Sequence, residues 1–227
     1  MRFDIITIFP KIFDSYFSHS ILARAKEKKM IEIIIHDLRE YAKDKRRTVD
    51  DTPYGGGAGM ILKIEPIFRA LNDIERKTQR VKIEKKNRII IFSAKGKLYT
   101  QDDAIRLSQF DSLTLICGRY EGVDERVAKH LADEEISIGK FVLTGGEIPA
   151  MILIDSISRL IPNVLGNSES LKEESFGSEK KEYGDNLEYP QYTKPEKFLN
   201  WQTPKILLSG NHQKIKDWRK KHSQKNA

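Results

Sequence analysis

The chain has 227 residues, of which 39% are hydrophobic and 32% charged, so it can bury a core in one or two domains. This composition, with 10 Phe, 8 Tyr and 2 Trp, excludes general disorder and the collagen-like and low-complexity classes. The formal net charge of +7 and the pI near 9.3 favour a polyanionic partner such as nucleic acid.

The cysteine and histidine content bounds the chemistry further. A single cysteine, Cys117, excludes a disulfide within the chain, and the five histidines lie too far apart in sequence to suggest a zinc site. No apolar run reaches the length of a membrane span, which is about 18 residues, and segment 1–13 lacks a small-residue cleavage site. We therefore predict a cytoplasmic protein that does not enter a membrane.

Short runs rich in β-branched residues predict strands, and helical patterns lie between them. The predicted strands are Phe3–Phe9, Glu32–Asp37, Arg88–Ser93, Ser112–Cys117 and Glu135–Ile138. The predicted helices are Lys11–Lys29, Glu65–Lys77, Thr100–Ser108 and Asp124–Leu131. This alternation is typical of an α/β layer fold with a largely parallel, buried sheet.

A further helix is predicted over Glu147–Ile161, where the sequence is apolar nearly all round. Such a helix is expected to be buried on most sides. Asp155 and Arg159 interrupt it at positions i and i+4, which share one helix face. Because buried charges need partners, the simplest interpretation of these two residues is an internal ion pair.

The composition changes sharply over 166–185, which is rich in Ser, Glu, Lys and Gly and predicts a mobile linker. Beyond it the chain supplies Tyr, Trp and a cationic helical segment, Asn211–Lys221. We therefore expect a first domain over 1–163, a linker over 164–187 and a small C-terminal domain over 188–227.

Three glycine-bearing loops are the best candidates for a ligand site: Tyr54–Met60, Cys117–Arg126 and Ile138–Glu147. Glycine lets the backbone approach a ligand closely. The last two loops follow predicted strands directly, and ligands of open α/β sheets bind outside the carboxyl ends of the strands. Neither the Rossmann fingerprint nor a P-loop is present. Together, these two loops predict one small-molecule pocket.

The sequence has no G-x-S-x-G elbow and no histidine near its cysteine, which argues against a covalent hydrolase. The candidate acid–base groups are therefore carboxylates. The residues alone do not choose among Glu121, Asp124, Glu125, Asp155, Glu173 and Glu174.

Five segments carry a more specific signature: DTPYGGGAGM, CGRYEGVDERV, SIGKFVLTGGEIPAMILIDSISRLIPNVLG, YPQYTKPEKF and LLSGNHQKIKDWR. Taken in this order, they closely resemble the bacterial tRNA (guanine-N1)-methyltransferase family of the SPOUT class, over about residues 1–221. The resemblance implies a SPOUT-type parallel α/β sheet with a deep trefoil knot, and a small, mainly helical C-terminal domain. General chain rules would have argued against a knot.

The resemblance also implies that the glycine loops bind S-adenosyl-L-methionine, mainly through the main chain. The implied donor-binding residues are Ser93, Gly96, Gly118, Tyr120, Glu121, Gly122, Ile138, Gly139, Lys140, Phe141, Val142, Leu143, Gly145 and Gly146. A role for Mg²⁺ is compatible with the resemblance, but no acidic cluster in the sequence defines a metal site.

The implied reaction moves a methyl group to N1 of the guanosine just 3′ of the anticodon. That nitrogen carries a proton, so a carboxylate must remove it, and Glu174 holds the family position of this base. The family usually has aspartate there, and a misplacement of about 1 Å can cost on the order of 10²-fold in rate. Arg159 holds the position of a cation that stabilises charge at O6, which replaces the ion-pair interpretation.

The implied partners are the anticodon loop of tRNA and a second copy of the chain, with the active site at the interface of a homodimer. Enzymes that act on bases extract them from the stack. Two alternatives stay open: a tRNA-binding protein that has lost catalysis, because Glu174 replaces aspartate, and a SPOUT methylase that acts on a ribose hydroxyl.

Overall fold

The computed structural model describes residues 1–78, 86–165, 175–176 and 187–223. The chain divides into two compact units, Met1–Gly166 and Asn167–Ala227. The strands of the first unit are β1 (Arg2–Thr7), β2 (Glu32–Asp37), β3 (Asp50–Asp51), β4 (Ile61–Leu62), β5 (Asn87–Leu98), β6 (Ser112–Ile116) and β7 (Glu134–Ser137). Its helices are α1 (Asp14–Phe17), α2 (Ser20–Glu27), α3 (Ile64–Thr78), α4 (Gln101–Leu107), α5 (Glu125–His130) and α6 (Glu147–Ser158).

The central feature of the first unit is a parallel sheet of five strands in the order β2-β1-β6-β5-β7. The central strand β6 is buried along its whole length, as expected where helices cover both faces. The predicted α/β class with a parallel sheet is thereby confirmed. Strands β3 and β4 form a separate antiparallel pair.

Alternate side chains of β1 enter two different cores. Phe3 and Ile5 pack among side chains of α1, α2, α4 and α6, whereas Ile6 packs among those of α3 and α5. All three are at most 1% exposed, and burial of such a side chain contributes about 1.5–3 kcal/mol. The two faces of β1 therefore belong to different layers of the fold.

The prediction of one helix over Lys11–Lys29 is wrong. The structure has a 3-10 turn at Pro10–Phe13, followed by α1 and α2 as separate helices. Ser20, at the start of α2, has a φ of +56°, and a non-glycine residue in this region cannot continue a right-handed helical path.

Strand β5 is longer than predicted because it resumes its pairing with β7 after an interruption at 93–96. Phe92 and Lys97 both pair with Ile136 of β7, so segment 93–96 leaves the ladder and returns to it. Gly96 ends this excursion. A Cβ there would lie 2.7 Å from the backbone of Glu135 and Ile136, so the close approach of β5 to β7 requires glycine.

Helix α6 is only partly buried, which corrects the expectation of burial on most sides. Leu153, Ile154 and Ile157 are fully buried, but Ile148 and Ile152 are 52% and 40% exposed. The helix thus packs one face on the sheet and leaves an apolar face open in the chain as described.

The second unit contains a hairpin of β8 (Lys197–Phe198) and β9 (Trp201–Gln202), a 3-10 turn at Lys205–Leu208, and helix α7 (His212–His222). Asn211 caps α7 by accepting a hydrogen bond from the Lys214 amide at 3.0 Å. Trp218 stacks on His222, with ring centroids 4.1 Å apart. Most of the predicted linker lies outside the described residues, so the domain boundaries stay predictions.

Candidate functional site

A cavity of about 480 Å³ opens at the carboxyl ends of β6 and β7, beside the excursion of β5. Its walls come from segment 93–95 inside β5 and from the segments that follow β6 and β7, which are 118–123 and 138–146. Ligands of open parallel sheets bind at this edge, and the volume is in the range of small-molecule sites. The two glycine loops that follow strands therefore meet in one pocket.

Twelve of the fourteen predicted donor-binding residues line this cavity. They are Ser93, Gly118, Tyr120, Glu121, Gly122, Ile138, Gly139, Phe141, Val142, Leu143, Gly145 and Gly146. The other two, Gly96 and Lys140, are not part of the lining as described. Gly96 instead packs against the backbone of Glu135 and Ile136 of β7, both of which line the cavity.

The loop after β6 is held in place by its own turns and by contacts with the loop Tyr54–Met60. Tyr120 and Gly122 have φ values of +62° and +135°, and the second of these needs glycine. The Glu121 amide donates to the Met60 carbonyl at 3.1 Å, and a Cβ on Gly59 would lie 2.5 Å from Glu121 Cγ. The YGGGAGM loop therefore supports the wall of the cavity from behind.

The loop after β7 is anchored at its ends and open in its middle. Ser137 Oγ donates to the Gly139 carbonyl at 3.0 Å, and a Cβ on Gly146 would lie 2.6 Å from Cys117 Cα. Between these anchors, Phe141 is 56% and Val142 is 89% exposed.

An ion pair beside the cavity was not found from the sequence. Arg119 Nε donates to Glu147 Oε2 at 2.9 Å, and Thr7 Oγ1 donates to Glu147 Oε1 at 2.8 Å. Arg119 lines the cavity, whereas Glu147 is only 1% exposed. No local pattern signals a pair whose members lie 28 residues apart. The available hint was the position of both residues inside the two glycine loops.

Cys117, at the end of β6, lies next to this pair and is buried. Burial, followed by the nearby charge of Glu147, raises the pKa of its thiol well above the ordinary value. The thiol therefore stays protonated near neutral pH and is a poor nucleophile.

A second group of charged side chains also lines the cavity. Lys95 Nζ is 2.6 Å from Glu125 Oε2 and 3.8 Å from Glu135 Oε1. The hydrogen bond with Glu125 raises the pKa of Lys95, so this lysine stays cationic and is not a base. Of the candidate carboxylates, Glu121 and Glu125 line the cavity, whereas Asp124 caps α5 and pairs with Arg126.

Of the two predicted catalytic residues, Arg159 does not line the cavity of its own chain, and Glu174 lies outside the described residues. Arg159 follows Gly146 by 13 residues and lies at the far end of α6, which corresponds to about 20 Å along the helix. Asp155 is exposed and lies beside Tyr16, whose pKa is raised by burial and by the charge of Asp155. Glu173 and Glu174 lie outside the described residues.

The parts of the chain that the structure describes contain no group of three or more His, Cys, Asp or Glu side chains that could hold a metal ion. In the same ranges, no helix is long and apolar enough to cross a membrane.

Comparison with known proteins decides the family. Residues 1–227 match the model of the family described as tRNA (guanine-1)-methyltransferase TrmD. The chain belongs to the TrmD family. The resemblance drawn from the five sequence segments is thereby confirmed.

Individual TrmD relatives agree with this assignment. The chain is 50% identical over 225 residues to a protein of Dictyoglomus turgidum, which covers 99% of this chain and 86% of the relative. It is 49% identical over 223 residues to one of Geobacillus kaustophilus, with 98% and 86% covered. Both relatives are named tRNA (guanine-N(1)-)-methyltransferase.

Proposed function

We propose that this chain transfers a methyl group from S-adenosyl-L-methionine to N1 of the guanosine immediately 3′ of the anticodon of tRNA. The observation that carries the proposal is the cavity formed by the two glycine loops, in a chain whose family is named for tRNA guanine methylation. We propose the cytoplasm as its location because its substrate is tRNA.

The residues at the cavity fit this donor. Much of the wall is main chain, because glycines line it: Gly118, Gly122, Gly139, Gly145 and Gly146. Main chain offers N–H donors and carbonyl acceptors to a nucleoside at close range. Three carboxylates also line the cavity, Glu121, Glu125 and Glu135, against one lysine, Lys95, which pairs with the last two. The carboxylate of Glu121 favours a ligand with positive sulfonium and ammonium groups.

When bound, the donor supplies a methyl group on a positively charged sulfur. The chain must then remove the proton of guanine N1 and stabilise negative charge at guanine O6. We assign the first task to the Glu174 carboxylate, since a general base contributes about 10²- to 10⁴-fold. We assign the second to the Arg159 guanidinium, since one preorganised donor contributes about 10²- to 10³-fold.

The distance between Arg159 and the cavity supports a homodimer with the active site at the subunit interface. Within one chain, Arg159 lies at the opposite end of α6 from the cavity. Apolar side chains of α6 and of segment 9–16 are also exposed: Phe9, Ile12, Tyr16, Ile148 and Ile152 are each at least 40% exposed. Apolar patches of this kind mark protein interfaces. In a dimer, Arg159 of the partner subunit would complete the site.

We also propose the deep trefoil knot of the SPOUT class. Two close backbone approaches support it: Gly96 against β7, and Gly146 against Cys117 at the end of β6. Both lie at the cavity edge of the sheet. The knot would explain why the walls of the cavity pass so close to the strands.

Recognition of tRNA is assigned in part to α7. Lys214, Lys216, Lys220 and Lys221 are exposed on this helix, and cations of this kind bind phosphates with strong salt dependence. We assign no residues to Mg²⁺, because the described ranges contain no group of three or more His, Cys, Asp or Glu side chains that could hold it.

The proposal is tested by methylation assays with labelled donor and two tRNA transcripts, which carry G or A at the target position. We expect the G transcript alone to be labelled, and its nucleoside digest to contain 1-methylguanosine. Methylation of both transcripts would instead indicate a ribose methylase. Donor and tRNA binding without methylation of either would indicate a binding protein that has lost catalysis.

The role of Glu174 is tested separately. We expect Glu174→Gln to abolish methylation while the Kd for the donor, measured by calorimetry, stays within about two-fold, because glutamine cannot accept the N1 proton. Glu174→Asp is the matched control, since it restores the carboxylate with the chain length usual in the family. Full activity of Glu174→Gln would exclude Glu174 as the base.

A further inference from the structure

Glu147 is a buried carboxylate with two partners at the edge of the cavity. It is 1% exposed and accepts hydrogen bonds from Thr7 Oγ1 at 2.8 Å and Arg119 Nε at 2.9 Å. Burying a charge requires such partners, and apolar side chains often stabilise a core equally well or better. Stability alone therefore does not explain why an ion pair stands here.

Arg119 connects the two glycine loops directly. It belongs to the loop after β6, and its Nη1 donates to the Thr144 carbonyl in the loop after β7 at 3.2 Å. The backbones of Arg119 and Gly145 form an antiparallel bridge, and the Gly146 amide donates to the Gly118 carbonyl at 2.9 Å. The guanidinium thus spans the junction of the two walls.

The Arg119 guanidinium also stacks on an aromatic ring. Its carbon lies 4.7 Å from the centre of the Phe9 ring, a cation–π distance. The side chain of Arg119 is 17% exposed and that of Glu147 is 2% exposed. Low exposure strengthens the pairing and fixes one geometry for the loops.

We propose that Arg119 and Glu147 are positioning residues for the methyl donor. Their ion pair holds the two glycine loops at the separation that the donor requires. The Glu147 carboxylate also compensates a guanidinium that lines the cavity and would otherwise repel a cationic sulfonium. This inference rests on the proposed function, because it takes the cavity as the donor site.

The sharpest test uses Thr7, which touches Glu147 but is not part of the cavity lining. Thr7→Val removes the hydroxyl and Thr7→Ser keeps it. We expect the Kd for S-adenosyl-L-methionine, measured by calorimetry, to rise about five-fold in Thr7→Val and to return to within about two-fold of wild type in Thr7→Ser, since about 1 kcal/mol of hydrogen bonding is lost and restored.

Variants of the pair itself should have larger effects. Glu147→Gln leaves the guanidinium charge uncompensated, so we expect the donor Kd to rise about 10- to 100-fold, and the difference from wild type to narrow with added salt. Arg119→Lys keeps the charge but cannot hold both Glu147 and Thr144, so we expect about ten-fold weaker binding. The Kd for tRNA should be unchanged in all of these variants.

A second measurement separates positioning from general stability. Without donor, hydrogen–deuterium exchange in segment 139–146 should be faster in Glu147→Gln and Arg119→Lys than in wild type. Asp4→Asn, which removes another buried carboxylate from β1, is the matched control. It should lower the Tm and leave both donor Kd and exchange in 139–146 as in wild type.

Two results would overturn the inference. One is that the pair variants lower the Tm while donor affinity and exchange in 139–146 do not change, which is the signature of a structural ion pair. The other is that Asp4→Asn weakens donor binding as much as Glu147→Gln does. Failure of the wild-type chain itself to bind the donor would instead overturn the proposed function, together with this inference.

Discussion

The two faces of β1 each carry a buried polar group, and the two groups differ in what surrounds them. Thr7 faces α6 and joins Glu147 and Arg119 at the cavity. Asp4 lies three positions earlier, on the opposite face, because side chains alternate along a strand. It joins Arg2 of β1 and His36 of β2, and none of these three residues lines the cavity.

The group around Asp4 is the more extensive. Asp4 accepts hydrogen bonds from Arg2 at 2.6 and 2.7 Å and lies 2.7 Å from His36 Nε2. His36 Nδ1 lies 3.3 Å from the Tyr41 hydroxyl, which donates to Asp73 at 3.2 Å. Burial, followed by the charge of Asp73, raises the pKa of Tyr41 to about 12, so the phenol keeps its proton.

Buried polar groups on the two faces of one strand can therefore have different roles. On one face of β1 such a group connects loops that form the cavity, and on the other it connects strands and helices of the scaffold. Changes on the first face should therefore alter ligand binding, and changes on the second should alter stability alone.

The largest effect is expected from Gly146→Ala, next to Glu147 at the cavity. The new Cβ would lie 2.6 Å from Cys117 Cα and 2.9 Å from the Gly118 nitrogen, and backbone atoms there cannot move aside without shifting both loops. We expect donor affinity, measured by calorimetry, to fall by about 100-fold or more. A donor affinity close to that of wild type would show that the two glycine loops can move apart without losing the donor. It would contradict the view that the cavity side of β1 controls ligand binding.

On the opposite face, Asp4→Asn should destabilise the fold without changing the site. Removing one partner of a buried ion pair costs about 3 kcal/mol, which corresponds to a fall in Tm of about 6–12 °C for a chain of this size. Thermal unfolding checks the first expectation and donor calorimetry the second. A parallel loss of donor affinity would mean that the two faces are coupled.

The same carboxylate makes stability depend on pH. Burial alone would raise the pKa of Asp4, but the hydrogen bonds with His36 and Arg2 outweigh it and the pKa is lowered. Its stabilisation is therefore complete above the unfolded pKa and is lost as the pH falls through the lower folded pKa. The difference in free energy of unfolding between wild type and Asp4→Asn should be constant near neutral pH and shrink below about pH 4.

The smallest effect is expected from Tyr41→Phe. It removes the hydroxyl that bonds Asp73 at 3.2 Å and keeps the ring, so unfolding should become easier by about 1 kcal/mol. Denaturant titration measures this change. A loss as large as that of Asp4→Asn would show that the scaffold group acts as one unit rather than as separate pairs.

Much of the sheet could be predicted from the sequence, because buried parallel strands appear as short β-branched runs. Glu32–Asp37 has the predicted bounds, and Ser112–Ile116 differs from prediction by one residue. The extension of β5 to Leu98 was missed, since it depends on Gly96 and on pairing with a distant strand. The break at Ser20 was missed because helical periodicity continues through it.

The candidate site was predictable for a different reason. Glycine loops after strands point to a cavity on physical grounds, but the individual donor-binding residues came from the family resemblance. The pair of Arg119 and Glu147 escaped both approaches. A charged residue beside an apolar helix is ordinary in sequence, and only the folded chain shows that Glu147 is buried against Thr7 and Arg119.

The pairing of Ile136 with two residues of β5 holds one wall of the cavity in place. Phe92 and Lys97 flank segment 93–96, and both are bound to this one residue of β7. That wall cannot swing outward unless β5 separates from its neighbouring strand. We therefore expect entry and exit to involve the loop after β7, where Phe141 and Val142 keep more than half of their surface free. One wall of the cavity is thus fixed by strand pairing, and another is an exposed loop.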